Sequence, residues 1–232
     1  MTGSRQNGMF SLVTVPNGPT LKFMLAALFA LLLIFGFIHL ASEVGEGETG
    51  RFDQSILEAA QSLRASYIWL ADVMRDLSGL GSTVVLSLIS VSTVTYMAMF
   101  RRRQTALLLA CAIVSGTLLV SLFKMVFARE RPPANFADFI ALGWSFPSGH
   151  ASMSALVYLT LGAFIASRQI LSAERKFILL VAAIFTALVG VSRVVLGVHF
   201  ATDVLGGWIF GTSWAIVWLL IASWLAADSH LK

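Results

Sequence analysis

Long apolar runs separated by short polar connections dominate the chain. The first is Leu21 to Ala41, built of Leu, Ala, Phe and Ile with no charge after Lys22. Others cover Leu80 to Phe100, Thr105 to Phe127, Ser148 to Ser167, Phe177 to Leu196 and Ala201 to Ala227. A helix of about 20 apolar residues crosses a bilayer core, so the pattern predicts six membrane spans. Residues 43–79 break it. Glu43, Glu46, Glu48, Arg51 and Asp53 come first, then Ile56, Leu57, Leu63, Ile68, Leu70, Met74 and Leu77 recur at mixed three- and four-residue steps. That spacing predicts one or two short amphipathic helices at the membrane surface. They either pack over the bundle or form a rim that guides a lipid. The expected fold class is all-α: a polytopic six-helix bundle with short interfacial helices on its extracytoplasmic side. Residues 20–227 form one domain in this reading, between a polar tail at 1–19 and a short tail at 228–232.

Composition supports the membrane reading. Hydrophobic residues make up 57% of the chain and charged residues 12%, against about 25% charged in soluble domains. The net charge of +4 is carried by residues at span ends and is not a nucleic-acid signature. Cys111 is the single cysteine, so no internal disulfide forms and redox compartment is unreadable. The first run reads as a retained span, although an uncleaved signal anchor has the same pattern. With six spans, Arg5, Lys22, Arg101 to Arg103, Arg168, Arg175, Lys176 and Lys232 share one side. Arg51, Arg64, Arg75, Lys124, Arg129, Arg131 and Arg193 share the other. The triple arginine decides the topology by the positive-inside rule. Both termini are expected in the cytoplasm of a multi-pass protein of the cell (inner) membrane. The 43–79 connection, the 128–147 loop and the turn near 197–200 then face the periplasm or outside.

Three polar motifs interrupt this apolar chain on that common side. Lys124 precedes Arg131-Pro132 by seven residues. An intramembrane cation calls for a partner or a function, yet a snorkelling lysine and a loop arginine would look the same. Phe146-Pro147-Ser148-Gly149-His150 reads as a helix start, with Pro147 outside, Ser148 able to cap, and Gly149 allowing close approach to a ligand. Free N–H groups at such a start bind anions. An ordinary capped helix with an interfacial histidine fits equally. Ser192-Arg193-x5-His199-x3-Asp203 places a histidine and an aspartate four apart, which puts both on one face of a helix. A carboxylate beside an imidazole fixes its tautomer and raises its basicity. A structural pair or part of a metal site is the alternative. Three cations converging on one pocket, Lys124, Arg131 and Arg193, would repel a divalent metal and attract phosphate.

Taken together, Lys-x6-Arg-Pro, Pro-Ser-Gly-His and Ser-Arg-x5-His-x3-Asp resemble the three signature motifs of the type 2 phosphatidic acid phosphatase superfamily. The chain is similar to its bacterial six-span members, which include phosphatidylglycerophosphate, undecaprenyl-diphosphate and, more distantly, lipid A phosphatases. The resemblance implies a lipid phosphatase that works through a phosphohistidine, with no metal and no cofactor. It implies His199 as nucleophile, Asp203 orienting it, and His150 as general acid. Lys124, Arg131, Ser148, Gly149 and Arg193 would bind the phosphoryl oxygens. Pro132, Pro147 and Ser192 belong to the motifs without an assigned role. The expected partners are a lipid phosphate and membrane lipids; nucleic acid is not expected, and the sequence does not give an oligomeric state. Transfer of the phosphoryl group to another acceptor, or anion transport, are the rival readings. Phe136, Phe139, Trp144 and Phe146 are expected to anchor at the interface or line the mouth.

Overall fold

The computed structural model describes residues 21–228. The expected tail at 1–19, with Arg5, and residues 229–232, with Lys232, lie outside them. The described residues form helices and no strand: α1 Leu21–Glu46, α2 Gly50–Ser66, α3 Trp69–Gly79, α4 Thr83–Met99, α5 Arg103–Phe127, α6 Gly149–Ala166, α7 Ser172–Val195 and α8 Ala201–Asp228. Among the described residues, six segments are long and apolar enough to cross a membrane: α1, Trp69–Met99 as one unit, α5, α6, α7, and α8 over Ala201–Ala226. The protein is an all-α polytopic membrane bundle.

The helices differ from the apolar runs at their ends. The first helix continues past Ala41 to Glu46, and its last turns carry a His39–Glu43 contact of 3.4 Å. Helix α7 starts at Ser172, so Glu174, Arg175 and Lys176 lie in its first turns. Hydrophobicity marks the part of a helix that meets lipid, whereas the backbone ladder continues into the polar interface. The 43–79 connection folds as two separate helices, α2 and α3, and α3 leads through a short turn into α4, with which it forms one apolar segment.

Large apolar side chains face outward: Leu31 is 63% exposed, Phe35 70%, Leu88 64% and Leu118 65%. The interior is built from small residues, among them Ala151, Ser152, Ser154 and Ala155, all fully buried. Lipid tails give no hydrophobic drive between spans, so close backbone approach holds them together. Helix α6 is central and packs on α7 and α8. A Cβ on Gly211 would sit 2.2 Å from the Ser152 carbonyl oxygen, and one on Gly207 2.8 Å from that of Ser148. Glycine alone lets α8 come this near, and the contact brings the start of α8 against the start of α6.

Phe146 is not an interfacial anchor. It is fully buried, stacked on Phe37 at 5.8 Å and edge-on to Phe127 at 5.2 Å. Its neighbours Pro147 and Ser148 are buried too, so the chain is already inside the bundle before α6 begins.

Candidate active site

The turn after α7 determines where the chemistry sits. Gly197 has φ +69°, and an added Cβ would meet the Phe136 carbonyl oxygen at 2.0 Å. Only glycine takes that backbone conformation without strain at such a close approach. The Gly197 N–H donates to Val194 O at 2.9 Å and the Val198 N–H to Arg193 O at 3.2 Å, closing the turn. His199 follows within it, ahead of α8. The expected arrangement of His199 and Asp203 on one helical face is therefore corrected. Asp203 is the third residue of α8, and its Oδ2 accepts the Phe200 N–H at 2.9 Å. A carboxylate at that position reaching back to the helix start is half of a capping box. It terminates the helix at Ala201 and leaves His199 free to lean in from the turn. The pair still meets, with His199 Nδ1 3.3 Å from Asp203 Oδ2.

Hydrogen bonding assigns the His199 tautomer. Arg131 Nη1 lies 3.1 Å from His199 Nε2. A guanidinium only donates, so Nε2 accepts and Nδ1 carries the proton. That proton faces Asp203 Oδ2 and Ser145 Oγ, each at 3.3 Å. Ser145 in turn donates its hydroxyl hydrogen to Asp203 Oδ2. Burial lowers the His199 pKa to about 4; the Asp203 hydrogen bond and charge oppose this, while Arg131 and Lys124 add to it. The ring is neutral at pH 7 and presents a lone pair on Nε2.

Three cations line the site: Arg131 and Lys124 bear on His199, and Arg193 bears on His150. Lys124, in the last turn of α5, donates to Trp144 O at 2.6 Å and Ser145 O at 3.2 Å. Arg131 donates to Gly143 O and Val198 O, both at 2.8 Å. Burial pulls its guanidinium below the usual range, with Asp203 opposing. Arg193, in the last turn of α7, is buried; Nη1 donates to Ser78 Oγ of α3 at 2.6 Å, and the guanidinium lies 5.5 Å over the Phe139 ring. Its Nε is buried with no protein partner.

The second motif sits against the third through the main chain. The Ser148 N–H donates to Asp203 O at 2.9 Å. Ser148 is the residue before α6, but its side chain makes no cap, contrary to expectation. Its N–H is committed to α8, and its hydroxyl is buried with no protein partner. A Cβ added to Gly149 would lie 3.9 Å from Lys124 Cε, so the lysine stem runs beside the helix start. His150, in the first turn of α6, lies within electrostatic range of Arg193, His199, Arg131 and Lys124. The structure thus gathers Lys124, Arg131, Ser148, Gly149, His150, Arg193, His199 and Asp203 at one end of the bundle. Pro132 and Pro147 are buried beside them. Ser192 is held apart, its hydroxyl donating to Val189 O of its own helix at 2.6 Å.

Sequence reasoning missed a further layer. Arg129 bridges Asp53 Oδ2 at 2.7 Å and Asp203 Oδ1 at 2.6 Å. Asp53 also accepts the Thr202 N–H at 3.0 Å and its hydroxyl at 2.6 Å. Arg129 read as an ordinary loop arginine and Asp53 as one of several acids after the first span; the only local signal was a second arginine two residues before Arg131-Pro132. This layer also bears on the metal alternative. Oδ1 of Asp203 is taken by Arg129, and Oδ2 by Ser145, Phe200 N–H and His199. The carboxylate has no free face for a cation.

Residues 104–226 match the PAP2 superfamily. The chain is 34% identical over 181 residues to phosphatidylglycerophosphatase B of Bacillus subtilis, covering 77% of this chain and 87% of that protein. It is 31% identical over 119 residues to an undecaprenyl-diphosphatase of Sulfolobus acidocaldarius, covering 49% and 53%. The crystal structure of a transmembrane PAP2 type phosphatidylglycerolphosphate phosphatase from Bacillus subtilis superposes with TM-score 0.74 at 31% identity, over 88% of this chain and 97% of that one. Aquifex aeolicus LpxE shares the fold, with TM-score 0.53 at 24% identity over 72% and 93%.

Proposed function

The chain belongs to the PAP2 superfamily, and from that premise we propose that it is a membrane lipid phosphatase acting through a phosphohistidine on His199. The substrate class is a phosphomonoester or diphosphate on a lipid: undecaprenyl diphosphate, phosphatidylglycerophosphate or phosphatidate. The observation that carries the reading is the line Arg131–His199–Asp203. A guanidinium on Nε2 and a carboxylate behind Nδ1 make a neutral imidazole whose lone pair points among fixed cations.

The steps follow from the groups present. The phosphate binds among Lys124, Arg131 and Arg193, taking the Ser148 hydroxyl, the Arg193 Nε–H and the Gly149 N–H as donors. His199 Nε2 attacks phosphorus in line. The P–N bond forms as the P–O bond to the lipid or lipid phosphate breaks, and His150 gives its proton to the departing oxygen. Asp203 stabilises the positive charge that develops on the ring. Water then attacks the phosphohistidine, His150 takes a proton from it, and phosphate leaves with His199 restored. The cations bear on the equatorial oxygens throughout, the electrostatic contribution that is usually largest. No metal enters this scheme.

The reading places the site at the extracytoplasmic face, with both termini cytoplasmic. Support comes from the commitments of the basic residues at the site end. Arg64 donates to the Val195 and Phe136 carbonyls, Arg75 pairs with Asp138 at 2.7 Å, and Arg129, Arg131 and Arg193 are held as described. The opposite end carries Arg101 to Arg103, Arg168, Arg175 and Lys176, the short-loop charge that orients spans. An apolar bundle below the site lets lipid tails stay in the bilayer while the head group reaches the cations.

The test is phosphate release in detergent, with EDTA present, from undecaprenyl diphosphate, phosphatidylglycerophosphate and phosphatidate. One or more should be hydrolysed by the parent protein. Undiminished release by His199→Ala would overturn the assignment.

A further inference from the structure

We infer that Arg129 is a positioning residue which, with Asp53 behind it, holds the Asp203 carboxylate in the orientation that serves His199. This rests on the proposed role of His199 as nucleophile. Two oxygens of Asp203 are available, and the contacts divide them cleanly. Arg129 Nη1 occupies Oδ1 at 2.6 Å, which leaves Oδ2 to Ser145, Phe200 N–H and His199 Nδ1. Arg129 Nη2 reaches Asp53 Oδ2 at 2.7 Å, and Nη1 also donates to Thr202 Oγ1 at 2.8 Å. The guanidinium lies 4.4 Å over the Phe200 ring. The backbone of the same residue accepts from Ser145 N at 2.8 Å. Arg129 therefore fixes the carboxylate directly at one oxygen, and through Ser145 at the other.

A purely architectural role, docking α2 on α8, explains less. Thr202 already joins Asp53 to α8 by its N–H and its hydroxyl. The Arg129 contact to Oδ1 reinforces that joint, and beyond it restrains rotation of Asp203. Asp53 is 1% exposed and Asp203 0%. Two buried carboxylates need a shared cation, and breaking such a pairing leaves a charge uncompensated. Arg129 also tempers Asp203, since a carboxylate facing His199 alone would hold a proton on the ring more strongly. The groups facing His199 are Asp203 of α8, Ser145 and Arg131 of the 128–148 connection, Lys124 of α5 and His150 of α6; Arg193 of α7 faces His150.

The experiment uses the full chain in detergent with phosphatidate as probe, or whichever of the three lipids the parent hydrolyses best. It reads kcat and KM, and the titration midpoint of His199 from the ring carbon-13 resonance that His199→Ala removes. For Arg129→Gln we expect kcat to fall by about 10–100-fold, the scale found when the group behind a site residue is lost. KM should stay within about 2-fold, and the His199 midpoint should rise. Arg129→Lys keeps the charge but reaches one carboxylate at a time, so it should recover part of both. Asp53→Asn combined with Arg129→Gln should be no slower than Arg129→Gln alone, because the two residues act as one unit. If Arg129→Gln fails to fold, Arg129→Lys and Asp53→Asn give the same readouts. Parent-like kcat and midpoint in Arg129→Gln, a lower kcat with an unmoved midpoint, or multiplicative losses in the double variant would each overturn the inference. His199→Ala separates the two claims. If that variant still turns over, the nucleophile reading fails; if it is inactive while Arg129→Gln behaves as parent, only the positioning role fails.

Discussion

Arg131 Nη1 donates to His199 Nε2 across 3.1 Å, so the nitrogen proposed to attack phosphorus is held by a cation proposed to bind the phosphate. Under the proposed mechanism, a bound phosphate would have to draw the guanidinium off the lone pair, and Arg131 would exchange the ring for a phosphoryl oxygen.

The neutrality of His199 is measurable. Its pKa is lowered to about 4, chiefly by burial, against about 6.5 for a free histidine. Protonation would occupy Nε2, so the lone pair proposed to attack phosphorus is available above that midpoint and is lost as pH falls through it. The carbon-13 resonance assigned to His199 should titrate near pH 4. Arg131→Gln removes a nearby positive charge and should raise the midpoint, whereas Asp203→Asn should lower it. A midpoint near 6.5 in the parent would contradict the buried, cation-flanked setting.

Ser148→Ala separates function from stability. The hydroxyl makes no bond within the protein, so its loss should leave the melting temperature in detergent unchanged. Turnover should fall by about 10²-fold, the scale of losing one donor to a developing phosphoryl charge. Equal turnover in parent and variant would remove Ser148 from the phosphate site.

Ser145→Ala should behave differently. Its hydroxyl joins Asp203 Oδ2 and His199 Nδ1 without being placed among the phosphate ligands. The expected result is a kcat lower by about 10-fold with KM little changed, the signature of a defect felt in the transition state. A raised KM with parent kcat would instead make it a substrate contact.

Gly197→Ala tests the turn. The residue sits at φ +69° with the Phe136 carbonyl where a Cβ would be. Left-handed backbone alone costs a non-glycine residue about 1–3 kcal/mol, and the clash adds to it. The variant should melt at lower temperature and lose activity, because Leu196 O, which accepts from Asp138 N, and His199 both move with the turn. An unaltered melting curve would show that the turn relaxes freely.

The spans were legible because lipid exposure writes apolar residues directly into the chain, and the two short helices after the first span because α2 and α3 keep an apolar stripe. Helix ends were not, since Glu174 to Lys176 are polar yet helical. The Lys124, Arg131, Ser148 and His199 motifs stood out as polar groups where polar groups are costly. Arg129 did not, because its meaning depends on Asp53, far away in sequence, and on a fold that brings α2 over α8. Phe146 misled for the converse reason: an aromatic residue near a span end reads as an anchor, and only packing against Phe37 and Phe127 shows it to be core.

The hydrogen bond from Ser148 N–H to the Asp203 carbonyl has a practical corollary. It belongs to the peptide backbone and is indifferent to which side chains are attached nearby. The proposed seat for the head group can therefore be disarmed without being dismantled. A protein lacking the His199 imidazole should still cradle an intact lipid, and would serve as bait for fishing the natural substrate out of a membrane extract.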